Sequence, residues 1–151
     1  MNDTQFRPAS STDFRSITSV LENDGFNHAY PLSQDRYNKL LVRGEKFYIL
    51  LTNKQVIGVV SFDIDVRIQL HFFSIRKNFQ KMGYGTKMLE FILKEVNKYK
   101  TYHPVIFCYL EVKSPIVNFL LKHKFHEVGH YKNRFGNGRD AIILERSALL
   151  T

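Results

Sequence analysis

Apolar residues fall along this chain in two rhythms, and the switches between them mark out alternating strands and helices. Short runs rich in β-branched and aromatic residues over 46–52, 56–62, 68–75 and 105–112 read as strands. Weaker runs at 6–9, about 127–134 and about 140–145 read the same way. Elsewhere the period lengthens. Met88, Leu89, Ile92, Leu93 and Val96 recur at helical spacing, with Lys87, Glu90, Lys94 and Lys98 between them. A helix over 13–22 is predicted with Ser11 or Thr12 as its cap, because a hydroxyl can accept from an unpaired first-turn N–H. Asp13 adds a favourable charge at that end. A second helix follows Ser33, with Tyr37, Leu40 and Leu41 on one face. Ser114-Pro115 opens a short one whose apolar face is Ile116, Val117, Phe119, Leu120 and Leu121. Turns fall at Asn53-Lys54-Gln55, at 65–67 and at Gly136-Asn137-Gly138-Arg139. The resulting order, β-α-α-β-β-β-α-β-α-β-β, predicts an α/β (α+β) protein with one mixed sheet.

The most informative segment is Gln80-Lys81-Met82-Gly83-Tyr84-Gly85-Thr86, between the strand at 68–75 and the helix that follows. A strand, a short glycine-bearing loop and a helix start form an anion-binding device. Unpaired N–H groups point outward there and the helix dipole adds positive character. Gly83 and Gly85 let a phosphate approach the backbone without a Cβ in the way. Two glycines at a helix start also make plain turns, and the spacing fits neither the dinucleotide fingerprint nor the P-loop.

Composition narrows the field. The chain has 151 residues, of which 44% are apolar, a size and content that predict one folded domain over 1–151. No apolar run is long enough to span a membrane, and the polar start Met1-Asn2-Asp3-Thr4-Gln5 does not resemble a signal peptide. Cys108 is the only cysteine, so a reducing, cytoplasmic setting is expected. The net charge of +8 suits a polyanionic small molecule as well as nucleic acid. Arg76, Lys77, Lys81 and Lys87 bracket the glycine loop.

The pattern Gln80-x-x-Gly83-x-Gly85 after Phe73-Ser74-Ile75 resembles the signature of the GNAT superfamily of acyl-CoA-dependent N-acyltransferases. The likeness covers nearly the whole chain. Phe6-Arg7-Pro8-Ala9 with Asp13 is similar to the family's opening, and Leu110-Glu111-Val112 through Lys122-x-x-Phe125 resembles its second motif. The terminal Asn137 to Leu144 is similar to the tail of ribosomal-protein N-terminal acetyltransferases. This resemblance implies a mostly antiparallel sheet of about seven strands, splayed between the fourth and fifth where a bulge interrupts pairing, flanked by about four helices. It implies acetyl-CoA as co-substrate, no metal, and direct transfer to a primary amine in a ternary complex. The acceptor would be a protein or peptide N-terminus, a lysine or a small amine. It is compatible with a homodimer through the late strands.

Site residues follow from the same resemblance. Pantetheine would pair with strand backbone at Phe73, Ser74 and Ile75, with the Ile75 N–H serving the oxyanion. The diphosphate would lie on the loop of Lys81, Met82, Gly83, Tyr84, Gly85 and Thr86, anchored by Gln80. Backbone would dominate there, leaving the side chains at 81, 82 and 84 free to vary. Lys113 and Leu120 occupy two further family cofactor positions. Glu111 matches the glutamate that takes the amine's proton, and His71 in the fourth strand is the second candidate. Gln69 stands where histone-type members carry a glutamate, and cannot accept that proton. Leu120 stands where many members carry the tyrosine that protonates the thiolate, leaving water, Tyr109 or Tyr131 as substitutes.

Other residues carry blander readings. Cys108 in an alternating apolar strand reads as structural. His123, His126 and His130 match no compact metal motif and read as solvent-facing. Asp63 and Asp65 on the third strand suit a cationic acceptor and equally a plain hairpin edge; the acceptor's identity would be set by loops around 23–33 and 133–139. Two alternatives remain beside the transferase. A non-catalytic acyl-CoA-binding or sensing module is suggested by Leu120 and by Lys124 in place of the usual glycine before Phe125. A basic nucleic-acid-binding domain rests on charge alone, without a reader motif.

Overall fold

The computed structural model describes residues 3–65, 67–99 and 105–149; Val66, in the turn expected at 65–67, lies outside them. The strands are β1 (Thr4–Pro8), β2 (Lys46–Thr52), β3 (Gln55–Ile64), β4 (Ile68–Ile75), β5 (Val105–Glu111), β6 (His126–Tyr131) and β7 (Ala141–Ser147). The helices are α1 (Phe14–Glu22), α2 (Gln34–Val42), α3 (Tyr84–Val96) and α4 (Ile116–Lys122). One sheet runs β1-β2-β3-β4-β5-β7-β6, antiparallel except between β4 and β5.

Local chemistry explains the element ends. The β2–β3 hairpin turns on Asn53 and Lys54, both with positive φ, so the turn is two residues long and Gln55 already belongs to β3. The cap before α1 is Ser10, not Ser11 or Thr12, because a 3-10 turn at Ser11–Asp13 precedes the helix. Ser10 and Asp13 form a reciprocal capping box, and Arg7 clasps both Asp13 oxygens at 3.0 and 3.1 Å. That guanidinium holds the Asp13 carboxyl below its ordinary range. Ser33 caps α2 through the N–H of Arg36, and Tyr37 is fully buried with its hydroxyl donating to the Ser10 carbonyl at 2.6 Å.

Two apolar clusters cover the two faces of the sheet. Ile17, Val20, Tyr37, Phe47, Ile49 and Val59 pack α1 and α2 on one face. On the other, Met88, Ile92 and Val96 of α3 meet Val60, Phe62, Ile68 and Ile106. Each such side chain contributes roughly 1.5–3 kcal/mol by leaving water. Cys108 belongs to this second core, and burial pushes its thiol up to about 12.

The sheet opens in its middle. β4 and β5 pair at Ile68↔Ile106 and Gln69↔Phe107 only, although β4 runs on to Ile75 and β5 to Glu111. The bulge lies on the other side of β4, in its pairing with β3. Ser61 faces Phe72 and Phe62 faces Leu70, leaving His71 as the extra residue. An extra residue bends its strand, and that bend directs the later half of β4 away from β5.

Candidate active site

The gap between β4 and β5 is bounded by the end of β4, the loop before α3, the segment 114–119, and residues 24–28. A cleft of about 480 Å³ lies there, lined by Phe73, Ser74, Ile75, Gln80, Lys81, Gly83, Gly85 and Thr86 from the β4–α3 side. Ser114 to Ile116, Asn118, Phe119, Lys122 and His123 close it from α4, and Asp24, Phe26 and His28 from the α1–α2 loop.

Gln80 fixes the loop. Its Nε2 donates to the carbonyls of Ile75 at 2.8 Å and of Asp24 at 2.7 Å, tying the end of β4 to the α1–α2 loop. The chain then turns through Lys81 (φ 61°) and Gly83 (φ 89°), and α3 begins at Tyr84 with no side-chain cap. The first-turn N–H groups of a thirteen-residue helix therefore lack intrahelical partners beside the cleft. Gly85 is small for a different reason. A Cβ there would come within 3.1 Å of the Phe119 ring, which lines the same cleft. This donor set and this room suit a diphosphate.

The other residues expected to meet a cofactor lie elsewhere. Met82 is exposed and Tyr84 is buried edge-on to Phe79, and neither lines the cleft. Tyr84 is thus a core residue rather than a freely variable one. Leu120 is fully buried in the core, and Lys113 lies in the turn after β5, off the lining.

A second cavity of about 230 Å³ continues from the first toward the 26–30 and 134–135 segments. Both sequence candidates for the base line it. Glu111, at the end of β5, is clasped by Arg139, whose Nε donates to Oε2 at 2.8 Å and Nη2 to Oε1 at 2.9 Å. His71 presents its Nδ1 to Oε2 of buried Glu45 at 2.5 Å. Gln69 and Tyr109 also line this cavity, whereas Asp63 and Asp65 line neither. Arg134 lies over the rings of Tyr109 and Tyr131, 4.8 and 5.5 Å from their centroids.

Several members of the site carry no local signal in the sequence. His123 is not solvent-facing: its ring stacks on Phe119 at 4.2 Å and its Nε2 lies 3.2 Å from Thr86 Oγ1, bridging α4 to α3. The Asp24–His28 pair, at 2.6 Å, sits in a loop with no periodicity to flag it. Arg139 lies 28 residues from its partner Glu111, and its Nη2 also donates to the Asn27 carbonyl at 2.7 Å. His126 and His130 are exposed beside Glu145 and Asp140. Among the described residues, no group of three or more His, Cys, Asp or Glu is arranged to hold a metal, and no helix is long and apolar enough to cross a membrane.

Comparison with known proteins agrees with this geometry. The profile of the "Acetyltransferase (GNAT) family" matches residues 12–123, well over half of the chain. Ard1 from Thermoplasma volcanium superposes with a TM-score of 0.85 at 15% identity, over 98% of this chain and 99% of that one. The ribosomal-protein-S18-alanine N-acetyltransferase from Escherichia coli gives 0.80 at 16% identity, over 98% and 96%. The PaiA N-acetyltransferase from Thermoplasma acidophilum, in complex with coenzyme A, gives 0.78 at 15%, over 96% and 99%. No curated protein sequence matches. The signature loop, the parallel β4–β5 pair that parts after two residues and the family profile agree: this chain belongs to the GNAT family of acetyltransferases.

Proposed function

We propose that this protein transfers an acetyl group from acetyl-CoA to a primary amine by direct attack in a ternary complex. One observation carries the reading: two cavities meet along Phe73 and Ser74 where the sheet parts, one beside the glycine loop and the other beside Glu111 and His71. Bound acetyl-CoA supplies an activated acyl group on a thioester. The backbone at 81, 83, 85 and 86 holds the diphosphate, and the free edge of β4 at Phe73 to Ile75 takes the pantetheine as an added strand. Lys81 and Lys122, which also line this cleft, add positive charge.

In the second cavity the chain's own groups act on the acceptor. Its ammonium must lose a proton before it can attack. Glu111 and His71 are the groups that take it, directly or through water. Each is oriented by a partner, Arg139 for Glu111 and Glu45 for His71. The Ile75 N–H serves the oxyanion. The acceptor is a protein or peptide N-terminus, a lysine or a small amine, and the Ard1 and S18-alanine acetyltransferase likenesses give the first some weight.

The test is release of free thiol from acetyl-CoA with a panel of peptide, lysine and small amines. Amine-dependent release supports transfer. The second reading, a non-catalytic acyl-CoA-binding module, draws on the burial of Leu120 and the clasping of Glu111. It predicts binding with no release for any amine, unchanged by Glu111→Gln.

A further inference from the structure

Leu120, at the position where a hydroxyl would protonate the departing thiolate, is fully buried in the core and lines neither cavity. The reaction needs a proton where donor and acceptor meet, so the group that supplies it must be reachable from both cavities. On the donor side the ionisable lining residues besides His28 are Asp24, Lys81, Lys122 and His123. On the acceptor side they are Tyr30, Arg36, His71, Tyr109, Glu111 and Arg134. Phe26, His28, Phe73, Ser74, Ser114 and Ile116 line both, and among these described residues only His28 carries an ionisable side chain.

Its surroundings are built rather than incidental. Asp24, only 6% exposed, accepts from the Phe26 N–H at 2.9 Å with Oδ1 and holds His28 Nε2 with Oδ2 at 2.6 Å. Gln80, the anchor of the glycine loop, donates to the Asp24 carbonyl, so the pair is fixed relative to the end of β4. The His28 ring packs edge-on against Phe26 at 5.2 Å. With Nε2 engaged by a carboxylate, Nδ1 has no hydrogen-bond partner among the described residues. A carboxylate behind a half-buried imidazole orients the ring and supplies its counter-charge.

We propose that His28, held by Asp24, is the proton donor to the leaving thiolate, in the role that Leu120 cannot fill; this rests on reading the cleft as an acyl-CoA site. As the C–S bond breaks, sulfur takes the bonding pair and the imidazolium gives it the Nδ1 proton. The products are CoA thiol, the amide and a neutral imidazole. The proton that the acceptor ammonium lost, passed through solvent, restores the imidazolium for the next turnover.

The experiment compares two donors. A selenol is a far stronger acid than a thiol, so acetyl-seleno-CoA expels its leaving group without a proton. His28→Gln should lower kcat about 10²-fold with acetyl-CoA and less than about tenfold with the selenoester. An equal loss with both donors, or no loss with either, would overturn the assignment. A second readout needs neither turnover nor a variant. In wild-type protein labelled with ¹⁵N-histidine, CoA should shift the His28 Nδ1 resonance and desulfo-CoA, which lacks the sulfur, should not. Identical responses to the two ligands would overturn it as well. If neither CoA nor acetyl-CoA binds wild-type protein, the parent reading fails instead.

Discussion

Arg139 grips Glu111 with both arms of its guanidinium, at 2.8 and 2.9 Å, while its Nη2 also reaches the Asn27 carbonyl at 2.7 Å. One side chain from the β6–β7 connection thus ties the end of β5, where Glu111 lines the second cavity, to the α1–α2 loop. A bidentate pair fixes direction as well as charge, which an ammonium cannot reproduce. Arg139→Lys should therefore behave like Arg139→Ala. Both should raise KM for the amine several-fold while leaving acetyl-CoA affinity within twofold, as steady-state kinetics and calorimetry would read.

Glu111→Gln keeps the size of the side chain and removes its basicity. If Glu111 takes the amine's proton, kcat should fall about 10²-fold or more with unchanged cofactor affinity. His71→Gln makes the paired comparison. The larger loss identifies the principal proton acceptor, and wild-type rates in both variants would remove the two from the mechanism.

The glycine loop makes two separable predictions. Gly83 sits at φ 89°, a conformation costing roughly 1–3 kcal/mol for other residues, so Gly83→Ala should lower stability measurably. Gly85→Ala places a Cβ 3.1 Å from the Phe119 ring, which lines the cleft and must give way. Coenzyme A binding should weaken in that variant, and Gly85→Ala combined with Phe119→Leu should recover part of it. Recovery is read by calorimetry against each single variant.

Acid stability depends in part on Asp13. Its folded-state pKa is depressed by the Arg7 side chain, so its contribution is present above the ordinary carboxylate value and is lost as pH falls through the folded one. Asp13→Asn should cost about 1 kcal/mol at pH 7, since it also weakens the cap. The gap from wild type should close below about pH 4 in denaturant titrations.

Cys108 offers a check on the core. With its thiol raised to about 12 by burial, it should resist thiol reagents in the native protein at pH 8 and react at once in denaturant. Rapid native labelling would mean that the region between β5 and β7 opens readily.

The order of elements could be read from the chain because each carries its own periodicity, and the glycine loop because its residues adjoin in sequence. The central helix and the strands at 46–52 and 68–75 have the bounds their patterns predict to within a few residues. What stayed hidden depends on distance. Glu45 and His71 are 26 residues apart, Glu111 and Arg139 are 28 apart, and neither pair has a spacing that local periodicity encodes. The bulge at His71 shifts the buried phase of the strand from Ile68 and Leu70 to Phe73 and Ile75, and the adjacent apolar pair Phe72-Phe73 masks that slip in the sequence. Ser10 does not stand out as the cap because the 3-10 turn that moves the cap outward resembles the first turn of α1. The glycines beside Tyr84 give it the character of a loop residue, yet it opens α3 and its ring enters the core.

The measurement that bears most directly on the whole account is a calorimetric titration of coenzyme A into the native protein. Saturable one-to-one binding in the micromolar range, weakened by Gly85→Ala and unaffected by Glu111→Gln, is the predicted result. No heat and no saturation at millimolar ligand would contradict it, because the gap between β4 and β5 would then hold no donor.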